Sequence, residues 1–351
     1  MNAINIQLIP LFLQLFADPN DYVNKTTDTT ATTGNDLSPE MKVFYDKTLL
    51  EEAGPNLVHH QFGQMRPIPR GSGKTIEFRK FDNLAKATTP LTEGVTPAGK
   101  KLTVTAVNAT VAQYGDYVVQ SDVLELTALD NTIVEATKLL GRQAGLTMDT
   151  VVRDIIAAGT NVSYADKYVN SVKTAVSSRA DLDATAKISV DGIEKVVTKL
   201  KNQNAPRING KYVAIVHPDV VYDLRRDPDW IDAHKYAQPN ELYNGEVGEI
   251  AGVRFVESTE AKIFKGGSGD PSGLAVYACL FLGADAYGVI EIDGGGLETI
   301  VKQKGSSGSA DPLNQRSSVG WKGMQTAKIL MPNYIVRFEC CSTFSATAAA
   351  N

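Results

Sequence analysis

The chain has few cysteines and no excess of positive charge. It therefore lacks what is typical of disulfide-bonded secreted proteins and of proteins that bind nucleic acid over their whole surface. It has 3 cysteines among 351 residues, which cannot all pair. Two of them, Cys340 and Cys341, are adjacent, and a disulfide between adjacent residues would be strained, so we predict thiols in a reducing compartment. Lysines and arginines number 35 against 40 acidic residues, and the net charge of -5 argues against gripping phosphate backbones over the whole surface.

A long uninterrupted apolar run is also missing. The first sixteen residues are the most apolar terminal stretch, but Gln7, Pro10 and Gln14 interrupt them, and they are too short to span a bilayer. No lysine or arginine precedes Lys25, and no small-residue cleavage site follows, so we expect neither a secretory signal nor a membrane partner. We predict an apolar peptide that docks onto a partner or is removed. Its predicted contact residues are Leu8, Leu11, Phe12 and Phe16.

A complete catalytic or cofactor motif is lacking as well. The sequence at 71–75, GSGKT, copies the end of a phosphate-binding loop, but Ile68 replaces the required first glycine and a strand pattern follows. We interpret these glycines as a hinge and keep a nucleotide-binding enzyme as a less favoured alternative. His217 and Asp219 follow a buried strand without a nucleophile motif, which favours helix capping over catalysis. We therefore expect no enzyme, no cofactor and no metal site.

What the chain does contain is a set of projecting segments. Residues 72–120 are predicted to form a ribbon of two strands, with Ile76 and Phe78 on one face of the outgoing strand and a thin apolar stripe on the returning strand at 101–107. The connection at 82–100 is far too long for a two-residue turn. An isolated ribbon is marginally stable in water, so we expect this one to lie on another copy of the chain.

A long helix and an α/β domain follow the ribbon. Asp122 with Glu125 forms a capping pattern for a helix that extends to Gly159, roughly 55 Å if it is continuous. From residue 180 the pattern alternates between helix and strand, and 227–247 is predicted to be a long exposed loop. The predicted contact residues of the ribbon and this loop are Arg79, Lys80, Pro90, Glu93, Lys100, Lys101, Arg226, Trp230 and Tyr236.

The predicted divisions of the chain follow from these patterns. They are an N-terminal arm at 1–37, a helix and connection at 38–71, the ribbon at 72–120, the long helix at 121–164, the α/β domain at 165–315, and a returning strand and tail at 316–351.

Three stretches carry a resemblance to a known family. They are residues 63–74 leading into TIEF at 75–78, AQYGDYVVQSD at 112–122, and GEIAGVRFVES at 248–258. With the order of arm, helix, ribbon, long helix, α/β domain and final strand, the chain resembles the major capsid proteins of tailed bacteriophages, which have the Hong Kong 97-type fold. It looks closest to the coliphage N-four-like capsid family. The opening, ending LQLFA at 13–17, is similar to the starts of structural proteins from phages of Gram-positive hosts.

The resemblance implies an α+β fold in which 72–120 is an extension loop overlapping a neighbouring subunit. The long helix would be the spine of the peripheral domain, and 165–315 the axial domain. It further implies self-assembly through hexamers and pentamers into an icosahedral head that encloses double-stranded DNA without sequence-specific contacts. Implied partners are scaffold, portal, maturation protease and decoration proteins, with assembly in the host bacterial cytoplasm and a final location in the virion. An encapsulin-like compartment shell is the closest alternative.

Overall fold

The structure is a computed structural model that describes residues 57–81, 84, 86–96, 98–127, 132–234, 248–267, 269–306 and 311–351. The predictions for the N-terminal arm and for the helix after Ser38 lie outside these residues, and so do Leu8, Leu11, Phe12, Phe16 and Tyr236. The helices of the described residues are α1 (Asp122–Thr127), α2 (Thr132–Ala157), α3 (Val190–Asn202), α4 (Pro218–Leu224) and α5 (Pro228–His234). None of them is long and apolar enough to cross a membrane.

Sixteen strands are present in the same ranges. They are β1 (Gln64–Met65), β2 (Thr75–Phe81), β3 (Val104–Thr110), β4 (Ala112–Ser121), β5 (Val162–Tyr164), β6 (Lys167–Val169), β7 (Val172–Thr174), β8 (Tyr212–Val216), β9 (Glu249–Ile250), β10 (Val253–Glu257), β11 (Ile263–Phe264), β12 (Val276–Leu282), β13 (Tyr287–Glu291), β14 (Glu298–Lys302), β15 (Arg316–Ile329) and β16 (Ile335–Cys340).

The larger sheet has seven strands and forms the α/β part of the molecule. Its order is β5-β16-β12-β8-β10-β9, with β11 paired to β12. Both β8 and β12 are buried along their whole length, because their continuous apolar runs are covered on both faces. Helix α3 contributes its predicted apolar face to this core, and the prediction is confirmed for all four side chains. They are Ile193, Val196, Val197 and Leu200.

The smaller sheet carries α2. Its five strands follow the order β1-β13-β15-β14, and β4 pairs with β15. Leu140, Ala144 and Met148 of α2 pack with Val319 and Trp321 of β15. A shared cluster, to which Val152 and Ile156 of α2 and Leu280 of β12 belong, joins the two sheets. The spine and the α/β part therefore share a continuous core.

Two described helices fall within the predicted rod. Helix α1 ends at Thr127 and α2 begins at Thr132. Residues 128–131, between them, lie outside the described residues. Helix α2 passes through Gly141 and Gly145 without a break, and its 26 residues give a length of about 39 Å.

The predicted boundary at residue 315 does not separate the two sheets. Strands β13 and β14 belong to the smaller sheet, although they precede this boundary, and β16 belongs to the larger sheet, although it follows it. The chain crosses between the sheets through short connections, one of them at Asp285, whose φ of 54° allows the tight turn from β12 into β13.

Strand β15 is 14 residues long and central to the smaller sheet, and it lies at the start of the stretch 316–351 where a returning strand was predicted. Gly320 and Gly323 interrupt its apolar alternation and lower its strand propensity. Gly320 is needed for close packing, because a Cβ there would lie 2.7 Å from the Cβ of Tyr117. A Cβ at Gly323 would meet Met148 Cε, the end of a flexible side chain that can shift.

Substitution Gly320→Ala is expected to lower the free energy of unfolding by about 1–3 kcal/mol, because the added methyl overpacks the contact between β4 and β15. Besides the Tyr117 Cβ, it would meet the backbone oxygen of Asp116 at 2.9 Å, and neither atom is the end of a flexible side chain. Chemical denaturation measures the change. The matched control is Gly296→Ala, whose Cβ would meet no atom within 4 Å. Equal midpoints for the two variants would contradict this packing.

Candidate functional site

Among the described residues, the contacts that anchor the ribbon lie at its base. Strands β2 and β3 pair antiparallel from Thr75 opposite Thr110 to Phe81 opposite Val104, so the returning strand begins three residues later than predicted. Ile76 and Phe78 pack against a small cluster that includes Ile68, Ala109, Val111 and Ile290. These contacts fix the ribbon to the smaller sheet and explain why the apolar stripe is confined to one end.

The tip, defined as the described residues among 84–103, is exposed throughout. Leu91 and Leu102 have 77% and 67% of their surface accessible, and Leu84 and Val95 are also exposed. Large apolar side chains held in water at the end of a ribbon indicate a surface that another molecule covers.

Several predicted contact residues have accessible positions on this ribbon. Pro90, Glu93, Lys100 and Lys101 are exposed tip residues. Arg79 is exposed on β2 and forms an ion pair with Glu77 at 2.9 Å. Lys80 lies on β2, and its side chain is outside the described set. Their contacts with a neighbouring subunit remain predictions.

The glycines at 71–75 form the turn that leads into the ribbon. Gly71 and Gly73 have φ angles of 81° and 83°, a conformation that favours glycine. Strand β2 begins at Thr75, as predicted, so no helix follows whose amides could surround a phosphate. The sequence is therefore a glycine turn at the base of the ribbon, and its action as a hinge stays a prediction.

A buried clamp, which the sequence did not reveal, fixes the segment before the ribbon. The backbone nitrogen of His59 donates to Asp149 Oδ1 of α2, and His59 Nδ1 lies 2.6 Å from Asp149 Oδ2. The Tyr287 hydroxyl donates to the His59 carbonyl, and burial raises the pKa of that hydroxyl. His60 points elsewhere, to Glu291 at 3.2 Å. The two histidines therefore have structural roles. His59 and Asp149 are 90 positions apart, so no periodic pattern in the sequence could have paired them.

A second exposed apolar surface lies on β4 and α1. We call residues 112–127 the shoulder. Tyr117 is 68% exposed and Leu126 80% exposed, and Val119, Val123 and Leu124 are exposed as well. The helical spacing of the predicted long helix places Leu126 on its apolar face, and this prediction is wrong, because no residue of α1 is buried. In the described part of the chain β4 pairs with β15 alone, so its other edge is open.

The predicted exposed loop begins with a helix. Trp230 lies on α5, is only 5% exposed and packs edge-on against Phe255 at 5.7 Å between ring centroids. The prediction of Trp230 as an exposed contact residue is therefore wrong, because α5 turns its indole into the core of its own subunit. Arg226 is exposed and lies over the Tyr222 ring at 4.2 Å.

The polar residues that could suggest chemistry serve structural roles. His217 caps α4 by accepting a hydrogen bond from the Asp219 amide, as predicted, and the Tyr277 hydroxyl donates to Asp219 Oδ2 at 2.7 Å. Cys340 and Cys341 are both buried free thiols, and burial raises the pKa of Cys341 to about 11. Among the described residues no group of three or more His, Cys, Asp or Glu side chains could hold a metal ion.

Comparison with known families decides between the remaining possibilities. The family model described as phage capsid protein matches residues 103–338, about two thirds of the chain. The chain belongs to the phage capsid protein family. This match includes β3, the shoulder, α2 and most of both sheets, and it favours a phage capsid protein over an encapsulin-like shell. No curated protein matches the chain.

Solved structures show the fold of this capsid protein. The capsid protein of cyanophage P-SCSP1u aligns with a TM-score of 0.61 at 15% identity, covering 82% of this chain and 89% of its own. That of Ralstonia phage GP4 gives 0.59 at 14%, with 93% and 97% covered. The head protein of Helicobacter pylori bacteriophage KHP40 gives 0.59 at 10%, with 97% and 99% covered. The predicted α+β fold of Hong Kong 97 type is confirmed, and so is the resemblance to tailed-phage capsid proteins.

Proposed function

We propose that this capsid protein is the self-assembling major subunit of an icosahedral phage head, built from hexamers and pentamers around double-stranded DNA. The observation that carries this proposal is the ribbon, whose base is packed and whose tip exposes Leu84, Leu91, Val95 and Leu102 to solvent. An extension loop that overlaps the next subunit gives those side chains an apolar environment. The similarity to the capsid proteins of phages GP4 and KHP40 supports the same arrangement.

The purified chain is expected to form capsomers or closed particles. Static light scattering over a range of concentrations, with negative-stain electron microscopy of the same samples, measures this. Because buried contacts between subunits must form together, assembly should rise steeply above a threshold concentration. A species that stays monomeric at every concentration would contradict the proposal.

The charge of the chain suits a container for DNA. A net charge of -5 leaves little attraction for phosphate over the surface as a whole, so a packaged genome would be held by confinement and local contacts. The proposed partners are scaffold, portal, maturation protease and decoration proteins. The proposed route is assembly in the host bacterial cytoplasm, with the mature protein in the virion.

We also infer that the protein has no nucleotide-dependent activity, because the hinge at 71–75 leads into a strand. Lys74→Ala is expected to leave any nucleotide affinity unchanged, measured by equilibrium dialysis with ATP and Mg²⁺. The control is Lys211→Ala, an exposed lysine directly before β8 of the larger sheet. A loss of ATP binding confined to Lys74→Ala would restore the nucleotide-binding alternative.

A further inference from the structure

Residues 342–351, which we call the strap, follow β16 and bond first to α4. The Ser342 hydroxyl donates to the Asp219 carbonyl at 2.9 Å. The backbone nitrogen of Thr343 donates to the Asp223 carboxylate at 2.8 Å, and the Thr343 hydroxyl donates to the same carboxylate. These hydrogen bonds fix the start of the strap to the body of the subunit.

The strap then crosses the end of β12. The backbone nitrogen of Ala275, directly before β12, donates to the Ala346 carbonyl at 2.8 Å. The amine of Lys265, directly after β11, donates to the Thr347 carbonyl. Ala348 packs against the main core cluster of the α/β part. Because β16 and β11 pair with opposite sides of β12, the strap runs from one side of that strand to the other.

Asn351 occupies the outer edge of β11. Its Oδ1 accepts from the Ile263 backbone nitrogen at 2.9 Å, and its Nδ2 donates to the Ala261 carbonyl at 3.0 Å. The Lys262 amine donates to the Asn351 carbonyl and forms an ion pair with Asp154 of α2 at 3.2 Å. A side-chain amide that bonds both a donor and an acceptor of one strand takes the place of a neighbouring strand.

Without the strap, β11 would be an open edge of the larger sheet. In the described part of the chain β11 pairs with β12 alone, and no strand lies along its outer side. A strand edge with free backbone donors and acceptors is a template for pairing with another chain. Native proteins cover such edges with a helix or a loop, and here the strap provides the cover.

The strap is held mainly by polar contacts. Phe344 lies against the Tyr222 ring, at 5.1 Å between ring centroids, but 64% of its surface stays accessible. Thr343, Thr347 and Asn351 are exposed as well. Segments with exposed hydrogen bonds and few buried apolar contacts open at a lower free energy than global unfolding. The strap can therefore open while the body of the subunit stays folded.

We propose that the strap guards the β11 edge against pairing with an extended segment of a second copy. The partner that fits this edge is a strand, because the edge offers backbone donors and acceptors at strand spacing. Before assembly the molecules that a subunit meets most often in a concentrated solution are its own copies. The closed strap thus keeps single subunits free of a contact that would withdraw them from assembly. The inference concerns the separate subunit and goes beyond the proposed function.

Hydrogen exchange of the full chain, followed by mass spectrometry, tests whether the strap covers the edge. Asn351→Ala removes both side-chain bonds to β11, so the segment containing Ile263 is expected to exchange about tenfold faster, the factor that a typical hydrogen bond provides. Asn351→Asp keeps the acceptor oxygen and should retain part of the protection. The segment of β8, inside the sheet, serves as the reference and should be unchanged.

Sedimentation velocity tests the guard itself, at concentrations where the full chain does not yet associate. Deletion of residues 343–351 is expected to produce dimers and larger species through the uncovered edge. Lys265→Pro, added to the deletion, removes an amide that strand alternation with Ile263 places on the outer side, and leaves the bonds to β12 intact. The combined variant should return to the monomeric species.

The outcomes separate the guard from the proposed function. A deleted chain as free of association as the full chain, or association that persists with Lys265→Pro, would overturn the guard. If the deleted chain fails to fold, as shown by circular dichroism, the Asn351→Ala exchange decides, and an Ile263 segment as protected as in the full chain would overturn the guard. Failure of the full chain to form particles would contradict shell assembly alone.

Discussion

Deletion of residues 83–99 should abolish shell formation while the body of the subunit stays folded. The described side chains of this segment are exposed, and its strands are anchored only at the far end of the ribbon, through Ile76 and Phe78. Removing exposed residues costs little folding energy, whereas the contact with the neighbour would lose its apolar side chains. Electron microscopy should show no particles, and circular dichroism should show an unchanged cooperative transition.

A control variant distinguishes this loss from a general effect of reduced surface hydrophobicity. Leu313→Ser changes a leucine that is as exposed as those of the tip but lies in the connection between β14 and β15. It should assemble normally. Particles from the deleted chain would show that the ribbon is dispensable, and loss of its thermal transition would place the tip in the folding core.

Substitution Glu339→Gln should lower the free energy of unfolding by about 3–5 kcal/mol, since it removes the fully buried carboxylate that Arg179 and Arg337 share. Glu339 is fully buried on β16 and accepts from Arg179 Nε at 2.7 Å, from Arg179 Nη2 at 2.6 Å and from Arg337 Nε at 2.7 Å. The pKa of Arg179 is raised above its ordinary value, chiefly by its hydrogen bonds to Glu339 and also by its hydrogen bond to Asp270. A neutral amide would remove the carboxylate partner that Arg337 contacts and would leave Arg179 with Asp270 as its remaining acidic partner.

Urea denaturation of the two proteins measures this difference. The control is Glu77→Gln, which removes the exposed partner of Arg79 and should change stability by less than about 1 kcal/mol. A Glu339→Gln protein as stable as the unmodified chain would mean that the network contributes no net stability. The backbone amides around Arg179 and around Asp270 should exchange faster with solvent hydrogen, because Arg179 connects both segments to Glu339 on the sheet.

Local patterns predicted the α/β part well. The continuous apolar run of β8 and the helical spacing in α3 each report burial directly, and His217 with Pro218 marks the start of α4. The ribbon was also predictable from a local pattern. Two short runs of alternating apolar residues, joined by a long polar connection, indicate a pair of strands.

Contacts made at long range or through glycine were not predictable. The close approach of β4 to β15 at Gly320 leaves no periodic signal in the sequence. The clamp between His59 and Asp149 joins distant residues, and Trp230 looked like a loop residue until α5 placed it in the core. The shoulder was missed because its apolar residues resemble the core face of a helix and only the fold shows them exposed.

A cryo-electron microscopy map of assembled particles tests the central claim most directly, since it shows what covers the ribbon. We predict that residues 72–120 of each subunit lie across a neighbouring subunit, with the tip in contact with protein density from another copy. Particles whose ribbons fold against their own subunit, or extend into solvent with no neighbour in contact, would contradict the account.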